Sequence, residues 1–86
     1  MSRYAQKLAN QRRRKYGLSD EAYREMVSRQ GERCLICQRK RKLTVDHDHK
    51  TGLVRGLLCN QCNAGIGRLD DNPVLLVRAA RYLLSS

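Results

Sequence analysis

Apolar positions along this chain follow two different periods. From Tyr4 to Lys15 they are sparse, Ala5 and Leu8 among basic residues, and this thin stripe predicts a helix stopped at Gly17. Ser19 is a good N-cap, with Asp20 and Glu21 in the first turn, where acidic groups suit the helix dipole. Tyr23, Met26, Val27 and Gln30 then recur at helical spacing up to Gly31, and Tyr23 and Met26 read as core. After a tight knuckle from Cys34 to Cys37 and a basic turn from Gln38 to Lys42, the period falls to two. Leu43-Thr44-Val45 predicts a strand, Asp48 to Gly52 a polar loop with Gly52 at positive φ, and Leu53 to Leu58 the returning strand. A second knuckle, Cys59 to Cys62, leads into a short helix from Asn63 to about Leu69. Asp70, Asp71 and Asn72 then cap a last helix, with Pro73 in its first position and Val74 to Leu84 as its body. The order helix, helix, knuckle, hairpin, knuckle, helix, helix is that of a small α+β domain. Val74, Leu75, Leu76, Val77, Leu83 and Leu84 exceed a single buried stripe. We expect that helix to cover the hairpin, with dimerisation as the alternative.

Composition sharpens this picture. With 86 residues the chain holds one domain, which we divide into a basic helical arm, 1–17, and a core, 18–86. There is no Phe and no Trp, so so small a core of Leu, Val, Ile and Ala calls for a staple. The formal net charge is +10, which implies a polyanionic partner. No run approaches the length of a membrane span, and Met1 to Lys15 carries no apolar stretch of a secretory signal. The expected setting is therefore intracellular and reducing, where cysteines are metal ligands more often than disulfides.

Cys34-x-x-Cys37 and Cys59-x-x-Cys62 are separated by 21 residues. Two such pairs are the pattern of tetrahedral structural zinc. Four thiolates leave no open coordination position, so this ion supplies folding free energy rather than chemistry. A thioredoxin-like redox pair would account for one motif and leave the other idle.

Between the knuckles lies Val45-Asp46-His47-Asp48-His49, which holds both histidines of the chain. Continued alternation would place Asp46 and Asp48 on one side and His47 and His49 on the other. A carboxylate is a hard ligand suited to Mg²⁺ or Mn²⁺, and a neutral imidazole can take a proton from water. Phosphodiester hydrolysis needs both functions. Asn63, next to the last cysteine, adds a second oxygen donor, and zinc on Cys62 would hold it near Asp46.

These residues, with Tyr16-Gly17-Leu18-Ser19 and the run from Thr51 through Arg55-Gly56-Leu57-Leu58 to Asn63, resemble the recombination endonuclease VII family of bacteriophages, within the HNH or ββα-metal (His-Me finger) nucleases. The resemblance covers most of the chain. It implies a zinc-stapled ββα-metal core with flanking helices, and structural Zn²⁺ on Cys34, Cys37, Cys59 and Cys62. It further implies catalytic Mg²⁺ or Mn²⁺ on Asp46 and Asn63, His47 as general base, and His49 as a supporting group near the phosphate. The expected activity is DNA cleavage giving 5′-phosphate and 3′-hydroxyl ends, in the cytoplasm of a bacterial host. Monomer and homodimer both stay open.

Two basic runs flank this segment, Arg12, Arg13, Arg14 and Lys15 before the core and Arg39, Lys40, Arg41 and Lys42 after the first knuckle. Both are expected to contact the DNA backbone, without aromatic residues interleaved for base stacking. The rival reading is a non-catalytic zinc-finger module that binds nucleic acid. It would explain the charge and the cysteines but has no use for Asp46, His47 and Asn63 together.

Overall fold

The computed structural model describes residues 2–85; Met1 and Ser86, the outer ends of the expected arm and core, lie outside them. Local sequence signals set the helix ends. Helix α1, Arg3–Tyr16, starts where the Ser2 hydroxyl accepts from the Ala5 N–H at 3.1 Å and stops at Gly17, whose φ of 65° lets its N–H turn back onto the last turn. Helix α2, Asp20–Arg29, is capped in the same way by the Ser19 hydroxyl on the Ala22 N–H.

Strands β1, Leu43–His47, and β2, Val54–Cys59, form an antiparallel hairpin that pairs Leu43 with Cys59 and Val45 with Leu57. Between Asp46 and His47 the register shifts: Asp46 faces Gly56 and His47 faces Val54, so Arg55 is an extra residue in a β-bulge. The loop before β2 is held by Asp48, whose Oδ1 accepts from the N–H groups of Lys50 and Thr51, and Gly52 has the expected positive φ of 78°. These two N–H donors are the main reason the Asp48 carboxyl sits below its ordinary range.

Helix α3, Asn60–Arg68, begins inside the second knuckle, three residues before the start at Asn63 that the sequence suggested. The reason is local: Cys59 acts as its N-cap, its sulfur accepting from the Cys62 N–H at 3.5 Å, so the metal-binding turn is also the first helical turn. Asp70 and Asp71 follow, both with left-handed backbone (φ 59° and 52°). Asn72 then caps α4, Pro73–Ser85, by accepting from the Val74 N–H.

The core is small and centred on the hairpin. Leu43, Val45, Leu57, Leu58, Cys34 and Cys59 are buried, with Tyr16, Leu18, Tyr23, Met26, Val27, Val54 and Ile66 packed around them. Tyr23 donates its hydroxyl proton to the Leu43 carbonyl at 2.7 Å, tying α2 to β1. The outer edge of β2 is held chiefly by one side chain: Gln30 donates from Nε2 to the Leu57 carbonyl and accepts at Oε1 from the Leu57 N–H, both at 3.0 Å. Gln30 therefore behaves as a one-residue strand, not as a member of an apolar helical stripe.

The last helix corrects the expectation made for it. No residue of α4 is buried, and Val74, Val77, Tyr82, Leu83 and Leu84 are exposed, so it stands off the hairpin rather than covering it. The hairpin's faces are already taken by α2, α3 and the first knuckle, and the molecule measures 48 × 28 × 20 Å.

Candidate metal centre and hydrolytic site

The hairpin brings the two cysteine pairs together, and the four sulfurs all lie within 4.8 Å of one another. A sulfur tetrahedron about 2.3 Å from a central zinc has edges of about 3.8 Å, and the sulfurs of Cys37 and Cys59 are 3.8 Å apart. Proton affinities differ sharply among them. Burial opposes ionising Cys34, but backbone N–H donors outweigh it and lower that thiol to about 6. Cys59 is also lowered, chiefly by the backbone of Cys62, whereas burial and the neighbouring sulfurs push Cys62 up to about 12. Crowded thiols of this kind resist joint ionisation, and a divalent cation removes that resistance. The donor set fits structural zinc.

The second cluster sits at the distal end of β1. Asp46 is 6% exposed, and its carboxylate is gripped by Arg55 through Nε to Oδ2 at 2.8 Å and Nη2 to Oδ1 at 2.9 Å. The same Nη2 also donates to Asp71 Oδ2 at 3.1 Å, and His49 Nε2 lies 3.4 Å from that oxygen. The bonds from Asp46, then those from Asp71, raise the proton affinity of the Arg55 guanidinium further, keeping it charged. The His47 ring lies 4.7 Å from that of His49 and 5.1 Å from that of Tyr16 at the end of α1. The two imidazoles thus lie close together, but β1 ends at His47 and the alternation does not continue: Asp48, expected beside Asp46, turns into the loop.

Asn63 projects from the first turns of α3, and its Nδ2 donates to Thr44 Oγ1 at 3.4 Å. Thr44 precedes Asp46 by two residues on β1, so alternation puts the residue that Asn63 bonds on the same strand face as Asp46. With Nδ2 directed at Thr44, Oδ1 is the amide atom that could ligate a metal. A carboxylate and an amide oxygen make a hard donor pair that suits Mg²⁺ or Mn²⁺, with Arg55 as the cation now on Asp46.

The basic residues divide in two. Arg12 is drawn into the fold, paired with Asp20 at 3.2 Å and stacked 3.8 Å over the Tyr23 ring, whereas Arg13, Arg14 and Lys15 are exposed. Arg39, Lys40, Arg41 and Lys42 are exposed as well; Lys42 donates to the Tyr4 hydroxyl, Arg41 to Gln61, and Lys40 lies near Glu32. Lys15, Arg24, Lys42, Thr44 and Asn63 line one cleft of about 490 Å³ between α1 and β1, so the two basic runs meet beside Asn63.

A model of the recombination endonuclease VII family matches residues 9–85. The chain belongs to that family. Among its relatives are the Gene 59 proteins of Mycobacterium phage L5, 48% identical over 75 residues, and Mycobacterium phage D29, 51% identical over 73. Those alignments take in 81% and 79% of this chain but 46% and 44% of the phage proteins, so it spans less than half their length. Among solved structures it is similar to the ββα-Me type II restriction endonuclease Hpy99I, with a TM-score of 0.58 and 31% identity over 86% of this chain and 46% of that one. The fold is thus the small α+β type of this nuclease family, with four cysteines clustered where a metal ion could be held. Among the described residues, no helix is long and apolar enough to cross a membrane.

Arg55, Asp71 and Tyr16 were given no role at the site by sequence reasoning. Arg55 carried a signal, as a cation placed across a short hairpin from Asp46. Asp71 looked only like part of a helix cap, and nothing in the pattern linked Tyr16 to His47.

Proposed function

We propose that the protein is a divalent-metal-dependent DNA endonuclease of low sequence specificity. What supports this reading is that Asp46 and His47 end β1, while Asn63, on the helix that Cys59 caps, bonds Thr44 of the same strand. Asp46 and Asn63 would hold Mg²⁺ or Mn²⁺, which supplies charge neutralisation at the scissile phosphate and at the departing oxygen. His47 takes the proton from a water whose oxygen attacks phosphorus in line. The phosphorus–O3′ bond breaks, its electron pair leaves with the 3′-oxygen, which takes a proton from solvent water, and the products carry 5′-phosphate and 3′-hydroxyl ends. Tyr16 packs beside the His47 ring and limits its orientations, and His49, tied to Asp71, supports the phosphate. The exposed lysines and arginines of the arm, 1–17, and of the turn before β1 hold the DNA backbone. The setting is the cytoplasm of a phage-infected bacterium, in line with the mycobacteriophage relatives.

The occupation of Asp46 by Arg55 favours one rival, a zinc module that binds DNA without cutting it. Plasmid nicking with Mg²⁺ or Mn²⁺, against an EDTA control, separates them. Metal-dependent nicking that His47→Ala lowers at least a hundredfold supports the nuclease. Equal inertness of wild type and His47→Ala, with DNA binding retained in both, establishes the rival.

A further inference from the structure

The salt-bridge geometry around Asp46 bears on how a cation reaches it. Both carboxylate oxygens are engaged by Arg55, and no other donor to Asp46 is found among the described residues. The carboxylate side chain is 8% exposed while that of Arg55 is 37% exposed, so the arginine reaches Asp46 from the open side. Its aim comes from the bulge, which leaves Arg55 unpaired in the ladder. A second acceptor is already in place, since Nη2 touches Asp71 Oδ2 at 3.1 Å. The guanidinium can give up Asp46 without losing every anionic partner. Asp71 reaches this point from a left-handed backbone in the turn before α4, a conformation unfavourable for a residue with a side chain.

We infer that Arg55 is an internal counter-cation: it holds Asp46 in the metal-free protein and withdraws to Asp71 when a divalent ion takes the carboxylate. This rests on the reading of Asp46 as a metal ligand. A buried carboxylate without a cation is costly, so the arginine keeps the empty site folded. The same pairing makes every divalent ion compete with two charge-assisted hydrogen bonds, which weakens metal binding until something else occupies the arginine. A DNA phosphate entering from the open side is such a group. Metal loading and DNA binding are therefore coupled through one side chain, and the coupling is reciprocal.

The test is Mn²⁺ binding to the zinc-loaded, DNA-free protein, followed by electron paramagnetic resonance. Thiolate-bound zinc is not displaced by the harder Mn²⁺. Arg55→Ala is expected to tighten Mn²⁺ about tenfold or more, as removal of a competing charge-assisted contact implies. Arg55→Lys keeps the charge but loses the two-pronged grip, and it too tightens binding; it decides the matter alone if the alanine variant fails to fold. Mn²⁺ affinity unchanged or weakened in Arg55→Lys overturns the inference, because the arginine then acts only through its charge or only on the fold. Asp46→Asn is the control: it abolishes the site. Wild-type Mn²⁺ affinity in that variant overturns the metal-ligand reading itself, and the inference with it.

Discussion

Replacing Gln30 by alanine or methionine tests how the hairpin is held. Its carboxamide satisfies both backbone groups of Leu57, which is fully buried, and both bonds measure 3.0 Å. Without the amide, the Leu57 N–H is left buried with no partner, a cost of about 2 kcal/mol. The Leu57 carbonyl keeps only a weak contact from the Leu35 N–H at 3.5 Å, so losing the better bond adds about 1 kcal/mol. A total of about 3 kcal/mol in a domain of this size lowers Tm by roughly 12–24 °C. The measurement is thermal and urea unfolding of zinc-saturated protein by circular dichroism, with hydrogen exchange at the Leu57 amide. A fall in the urea midpoint at unchanged slope, with lost protection at Leu57, is the expected result. Gln30→Met, which keeps the bulk of the side chain, separates packing from hydrogen bonding. If it stays within about 0.5 kcal/mol of wild type, the reasoning about Leu57 is wrong.

Other expectations follow from the same geometry. Cys59→Ser removes a zinc ligand and changes the N-cap atom of α3 together, so the domain should lose its bound zinc and unfold; a native-like melting curve would count against structural zinc. Gly56→Ala places a methyl 2.7 Å from Leu35 Cδ1 beside the bulge, at a cost of about 1–3 kcal/mol in urea unfolding, with no change in zinc content. If the exposed basic residues neutralise five phosphates, log K for duplex DNA should fall with log salt at a slope of roughly −4.5, and a filter-binding slope near zero would refute their role.

What could be read from the sequence is what depends on neighbours a few residues apart. Ser19 and the N–H three residues on, Gly17 after its helix, Asn72 and Pro73 before theirs, and Gly52 in its loop are all short-range relations. The paired Cys-x-x-Cys motifs belong with them, because each knuckle is local and a tetrahedral ion demands that the two meet. Alternation, by contrast, could not carry past His47, where β1 ends at the bulge, so the positions of Asp48 and His49 were set by the loop. The tertiary structure alone decided the relations that join distant positions. Gln30 meets Leu57 across 27 residues, Arg55 shares itself between Asp46 and Asp71, and Tyr16 lies against His47. It also decided that α4 stands clear of the hairpin although its apolar residues suggested a cover. Periodicity records which face of an element is apolar but not which neighbour reaches that face first. A bulge that re-aims one arginine depends on a pairing register that no local pattern encodes.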